Sequence, residues 1–215
     1  MSRTAPQPVA LGVEDLLARA RRLAERGPRT LLGITGAPGA GKSTLAAAVV
    51  EALGPDLAVL VPMDGFHLAE RTLLAWGRRE RKGAWDTFDV DGYLHLLRRL
   101  RAAREPVVHA PDFDRALEEP IGSAIPVHRA VPLVVTEGNY LLTTEGSWGG
   151  VAALLDECWY LELDDEVRLD RLTRRHEQHG KAPEAAAGWA RGTDQRNAEL
   201  VARSRDRADL VVTVA

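Results

Sequence analysis

Cysteine is almost missing from this chain. A single residue, Cys158, among 215 rules out an intrachain disulfide, and its setting, LLDECWYLEL, reads as a buried strand position and not as a reactive thiol. Long apolar runs are missing too. No stretch approaches the roughly 18 continuous apolar residues of a membrane span, and the first ten residues, MSRTAPQPVA, lack the apolar core of a signal peptide. Cytoplasmic residence and no membrane partner are the default expectation. An excess of positive charge is absent: the net charge of −3 argues against a general nucleic-acid binder. There are no internal repeats and no low-complexity segment. No Asn-Lys-x-Asp stretch is present for guanine recognition, nor a Leu-Ser-Gly-Gly-type signature of a transport ATPase.

What remains is an ordinary apolar fraction of 45% with 27% charged residues, in a chain long enough for one large α/β domain over 1–215. The chain is organised around TLLGITGAPGAGKST, residues 30–44. Gly36 and Gly41-Lys42-Ser43 match a G-x-x-x-x-G-K-[ST] pattern between a short apolar strand and a helix running to Leu53, and Gly36, Ala37, Gly39, Ala40, Gly41, Lys42, Ser43 and Thr44 are the expected nucleotide-binding residues. Its backbone N–H groups and the helix N-terminus suit a phosphate. Lys42 is placed to reach the β- and γ-phosphates of a nucleoside triphosphate, and the Ser43 hydroxyl to ligate Mg²⁺. ATP and Mg²⁺ are the expected cofactors.

The rest of the chain alternates strands and helices. Residues 1–10 read as a loose tail, and Val13 to Glu25 as an amphipathic helix ended by Gly27-Pro28. Leu57–Val61 reads as a strand that delivers Asp64 to the carboxyl edge of a parallel sheet, where ligands bind in open α/β folds; Asp64-Gly65 is also a common turn pair. Arg78, Arg79, Arg81 and Lys82 form a basic run, suited to a solvated face, to phosphate or to the acceptor side of a site. Asp89 or Asp91 caps a helix to about Arg104. Pro106 to Ala110 is a short strand, and a small hairpin is expected around Gly122-Ser123. PLVVT, residues 132–136, runs straight into Glu137, a strand-end carboxylate suited to magnesium or an acceptor. After the strand Cys158–Leu163, Asp164-Asp165 opens a helix carrying Arg168, Arg171, Arg174 and Arg175, mostly on one side. His176 and His179 lack a convincing third ligand for zinc. A long helix from Pro183 to Arg203 and a strand Asp209–Val214 close the chain. The expected fold is a mostly parallel, five-stranded sheet of the P-loop NTPase class with helices on both faces, a small lid and an acceptor-side hairpin.

A small-molecule kinase needs a phosphate loop, a base near the acceptor hydroxyl, magnesium and arginines around the moving phosphoryl group. Asp64, Ser43, Glu137 and Arg171–Arg175 supply these types. The segments PMDGFHL, RKGAWDTFDVDGY, APDFDRALEEPI, TEGNYLL and RLTRRHEQHGK, followed by Asp194 and Asn197, make the chain resemble the family that joins uridine kinase, phosphoribulokinase and bacterial-type pantothenate kinase. The likeness runs from about Leu31 to Val214 and is strongest to the bacterial branch known as nucleoside/nucleotide kinase or fructose transport system kinase. It implies Asp64 as general base, and Asp86 at the position where uridine kinases set a carboxylate against ribose hydroxyls. It implies Glu137 in support of magnesium and acceptor, and Arg171, Arg174 and Arg175 as lid arginines within 171–185. His67 falls on the acceptor side, and His109 and Phe113 fall in the base-binding wall; Phe88 joins the pocket. The acceptor-side segments are 69–90 and 107–130. Uridine kinases carry a tyrosine–aspartate–phenylalanine pattern followed by a histidine where this chain reads HAPDFDR, so the acceptor stays open among a nucleoside, a sugar such as fructose and a pantothenate-like alcohol. The alternative is a nucleotide-gated regulatory ATPase or chaperone, which has no use for an acceptor base such as Asp64. A homodimer is compatible with the sequence, which carries no mark for it.

Overall fold

The computed structural model describes residues 5–178, 180 and 182–214. The chain begins with β1 (Pro8–Leu11) and α1 (Val13–Ala24), followed by β2 (Thr30–Gly36) and α2 (Lys42–Leu53). Next come β3 (Ala58–Leu60), a 3₁₀ turn at Met63–Phe66, α3 (Glu70–Ala75) and α4 (Val90–Ala102). An antiparallel pair, β4 (Val107–Asp114) and β5 (Glu119–His128), precedes β6 (Leu133–Glu137) and β7 (Glu157–Glu162). The chain continues through α5 (Asp165–Gln178), α6 (Pro183–Trp189), a π turn at Ala190–Asp194 and α7 (Gln195–Ala202) to β8 (Leu210–Val214).

The main sheet is wholly parallel, in the order β1-β8-β7-β2-β6-β3. It has six strands, one more than the sequence pattern suggests. The added strand is Pro8–Leu11, inside the segment read as a loose tail; its short, mostly exposed run gives no burial signal, and its pairing with Val211–Val214 comes from residues two hundred positions away.

Alternation along the strands divides the core in two. Leu32, Ile34, Leu133, Val135, Trp159 and Leu161 face α1 and α2, meeting Leu16, Ala20, Leu23, Leu45 and Val49. Leu31, Val134, Cys158, Tyr160 and Val211 face the other way, onto Tyr93, Leu94, Leu97 and Leu100 of α4 and Val201 of α7. Cys158 is buried, as its sequence setting indicates. Helices on both faces explain why β2, β6 and β7 read as nearly continuous apolar runs. Two buried hydroxyls are absorbed by one chain of bonds: Tyr93 Oη lies 2.6 Å from Thr136 Oγ1, which donates to the Val61 carbonyl at 2.7 Å. Asp89 caps α4 by accepting from the Gly92 N–H at 2.9 Å.

The hairpin differs from expectation. Its turn lies at Arg115–Glu118, where Asp114 Oδ1 accepts from the N–H groups of Ala116 and Leu117 at 2.8 and 3.0 Å. Gly122-Ser123 instead sits within β5. There the register steps from Ala110↔Ile125 to Asp112↔Ile121, so these residues accommodate a bulge and not a turn. Among the described residues no helix is long and apolar enough to cross a membrane.

Candidate active site

The carboxyl ends of β2, β3 and β6 open on a cleft of about 350 Å³. From the phosphate loop, Pro38, Gly39, Lys42 and Ser43 line it; Gly36, Ala37, Ala40, Gly41 and Thr44 are beside them in the chain and outside the lining. Gly39 sits at φ +84°, and a Cβ there would stand 2.8 Å from Leu172 Cγ and 3.2 Å from the Arg168 carbonyl. Both the left-handed backbone and the close approach of α5 require glycine at this point. Arg168, expected on a basic helix face, is buried behind the loop. It donates to the Pro38 carbonyl at 3.4 Å and to Asp165 Oδ1 at 2.9 Å, and is bonded to Gln195.

Lys42 Nζ donates to the Ala37 carbonyl at 3.0 Å, and Ser43 Oγ donates to Glu137 Oε1 at 3.0 Å. The second bond joins the first turn of α2 to the end of β6, two elements that the sequence places nearly a hundred residues apart. Burial pushes the Lys42 ammonium down to about 8, against the opposing pull of Glu137 and Asp64. Burial also raises Glu137, and the negative charge of Asp64 adds to the rise, while Lys42 and the Ser43 hydrogen bond hold it back. Lys42, Glu137 and Asp64 therefore form one electrostatic unit.

Asp64 enters from the 3₁₀ turn after β3. Its carboxylate is 30% exposed to the cleft and lies 3.5 Å from Arg115 Nη2, on the hairpin turn. His67 Nδ1 lies 2.9 Å from the Asp64 carbonyl, which fixes the imidazole between Phe88 (centroids 4.1 Å apart) and Phe113 (4.8 Å). Burial lowers His67's affinity for a proton, more than neighbouring Asp64 restores it. Asp64, His67, Phe88, Phe113 and Glu137 thus meet in one cleft.

Four expected site residues lie elsewhere. Asp86 is held by Arg78 at 3.7 Å and by Arg81, away from the cleft lining. His109 is on an exposed position of β4 and does not line the cleft. Of the three arginines expected in the lid, only Arg175 lines it; Arg171 is exposed, and Arg174 pairs with Asp170 at 3.0 Å with 71% of its side chain in solvent. The arginines keep to one arc of the helix, about 120° wide at about 100° per residue, but its Arg168 edge is buried and its Arg174 edge is in solvent.

Further lining residues include two of the basic run that the sequence offers to a solvated face, to phosphate or to the acceptor side, and others with no role assigned from sequence. Arg79, Lys82, Arg115 and Glu118 line the acceptor side, and Asn139 follows the Glu137 strand end. On the far side stand His176, Trp189, Asp194 and Asn197. His176 Nε2 and Asp194 Oδ2 are 2.7 Å apart, tying α5 to the π turn. The partner considered for His176 in a metal pair, His179, lies outside the described residues. Conspicuous motifs contained most of these side chains, but only the fold shows which of them turn inward.

The sequence pattern of the Phosphoribulokinase / Uridine kinase family matches residues 31–215. The chain is 36% identical over 152 residues to an ATP-dependent kinase-like protein of Aspergillus versicolor, covering 66% of this chain and 88% of that protein. A Schizosaccharomyces pombe protein, named provisionally as a uridine kinase, is 33% identical over 171 residues, 76% of this chain and 73% of its own length. Among solved structures, a Silicibacter protein provisionally named a fructose transport system kinase superposes with a TM-score of 0.84 at 35% identity, over 94% of this chain and 99% of that one.

Proposed function

The chain belongs to the phosphoribulokinase / uridine kinase family of P-loop kinases, and from that premise we propose that it transfers the γ-phosphoryl group of ATP to a hydroxyl of a small-molecule acceptor, with Mg²⁺. The acceptor is of nucleoside, sugar or pantothenate-like type. The observation that carries the reading is the meeting of the phosphate-loop lysine and a strand-end carboxylate in one cleft: Lys42 and Asp64 both line it and act on each other's charge.

In the proposed reaction the acceptor O–H gives its proton to the Asp64 carboxylate as its oxygen bonds to the γ-phosphorus. The bridging P–O bond breaks, and its electron pair leaves with ADP. Asp64 holds the acceptor oxygen in line as well as taking the proton, and positioning carries much of the rate in phosphoryl transfer. Lys42 and Arg175 offset the charge on the transferring group. The oxygen donors of Ser43 and Glu137, 3.0 Å apart beside the loop, suit a hard cation. They are the residues that would hold Mg²⁺, which neutralises charge on the phosphate oxygens when bound. His67, wedged between Phe88 and Phe113, shapes the acceptor wall.

The test is ADP release measured with and without candidate acceptors. Stimulation by a small hydroxyl compound, lost in Lys42→Ala, supports the proposal. ADP release indifferent to every small acceptor would instead fit a regulatory ATPase.

A further inference from the structure

Resting on the phosphotransfer reading, we infer that the acceptor carries its own negative charge, a carboxylate or phosphate oxyanion, and that Lys82 and Arg115 receive it. Three cations from two pieces of chain reach the acceptor side of the cleft: Arg79 and Lys82 at one 3₁₀ turn, and Arg115 on the hairpin. Arg79 is committed to Glu70, to which it is closely bonded. The other two are held loosely. Lys82 keeps only 10% of its side chain exposed, yet its carboxylate neighbours Glu70 and Glu118 stand off at 3.7 and 3.8 Å, beyond hydrogen-bond range. Among the described residues its one close side-chain bond is to the Glu118 carbonyl, and its ammonium lies 5.3 Å from the centre of the Phe113 ring. An ammonium has three donors, so two remain for a ligand. Arg115 pairs with Asp64 at 3.5 Å, and its charge also reaches Glu137.

Lys82 is thus ion-paired with two carboxylates without a close hydrogen bond to either, and a ligand oxyanion within bonding range would complete its donors. The Arg115–Asp64 contact points the same way. An acceptor oxyanion that takes the Arg115 donors leaves the Asp64 carboxylate to the acceptor hydroxyl. One residue exchange then couples acceptor recognition to release of the base. Neutral nucleosides fit this wall poorly. The carboxylate expected to meet ribose hydroxyls, Asp86, is bound by Arg78 and Arg81 outside the cleft, and His109 is on an outer face.

The experiment compares matched acceptors that differ in the anion: glycerate with glycerol, ribose 5-phosphate with ribose, and pantothenate with panthenol, with uridine as a neutral nucleoside. ADP release is followed against acceptor concentration. The first and third pairs report a carboxylate source and the second a phosphate source. The expected result is a higher kcat/KM for the anionic member of at least one pair. Lys82→Met and Arg115→Gln should each raise its KM by roughly 10- to 100-fold, as for loss of a hydrogen bond to a charged group. ATP affinity, read by calorimetry on the same samples, should stay within a factor of about three, which also reports a folded site. Arg115 is half exposed, so Arg115→Gln keeps the test open if Lys82→Met fails to fold. Equal or better turnover of neutral members, or an anion preference unmoved by both substitutions, overturns the inference and leaves the kinase reading standing. No stimulation by any of the seven compounds overturns both.

Discussion

Replacing Lys42 with methionine should make the protein more stable while abolishing its use of ATP. Lys42 is buried, and its ammonium holds its proton only up to about pH 8 against an ordinary value of 10.5. The favourable pull of Glu137 and Asp64 is already contained in that value. At pH 7 and below, lysine is charged in both folded and unfolded chains, and the folded protein carries the full penalty. At about 1.4 kcal/mol per unit of pKa difference, the penalty is about 3 kcal/mol. Methionine removes it but forfeits the bond to the Ala37 carbonyl, costing about 1 kcal/mol. The variant should therefore be about 2 kcal/mol more stable at pH 7. Between pH 8 and 10.5 the folded wild type binds fewer protons than its unfolded chain, so its stability rises with pH relative to the variant. The gap should close to near zero by about pH 9.5. Urea unfolding of both proteins at pH 7.0, 8.0 and 9.5, with ATP binding by calorimetry, reads both effects. A variant less stable at pH 7, or a gap that does not change with pH, would refute the reasoning.

Asp64→Asn should keep ATP binding and lose phosphoryl transfer by roughly 10²–10⁴-fold, the range for removal of a general base; assays of both on one preparation decide it, and retained transfer would move the base elsewhere. Arg175→Ala should lower kcat more than it weakens ATP binding, whereas Arg171→Ala and Arg174→Ala should stay near wild type; steady-state kinetics on the three variants would expose an error if the ranking were reversed. Gly39→Ala should lower ATP affinity and the unfolding midpoint together, because the added carbon meets Leu172 and Arg168. Tyr93→Phe should cost about 1–2 kcal/mol in urea unfolding, since Thr136 keeps its bond to Val61 while the Tyr93 contribution is lost.

The phosphate loop and the strands around it were legible because their signals are local. Glycines, lysine and serine stand in one short run, and β2 and β6 are continuous apolar runs. Glu137 was legible for the same reason, lying at the end of such a run. The sixth strand was not, because β1 acquires its meaning only beside β8. The hairpin turn was misplaced because Gly-Ser marks a bulge as readily as a turn, and the decisive residue was Asp114, whose side chain closes the true one. Spacing on α5 could group its arginines but could not say that Arg168 turns inward under the loop while Arg174 turns out. Asp86 shows the limit of a motif: the residue type and position match, yet Arg78 and Arg81 claim the carboxylate. Arg115 was visible as a letter, and only the hairpin's placement brings it to the cleft beside Lys82.

The hairpin touches the turn that carries Asp64 backbone to backbone. A Cβ on Gly65 would stand 2.5 Å from the Pro111 carbonyl, so the two stretches lie flat against each other with no side chain between them. This contact sits midway along the hairpin, at its bulge, while Arg115–Glu118 forms the tip. The arrangement separates what must be conserved from what is free to diverge. The midpoint fixes the distance between the hairpin and the phosphate-handling sheet, and tolerates no added atom. The tip can lengthen, shorten or exchange its charges without disturbing that spacing. A lineage built on this plan can change the compound it accepts by rewriting a few residues at one end of a two-stranded arm, leaving the six-stranded sheet and its loop as inherited.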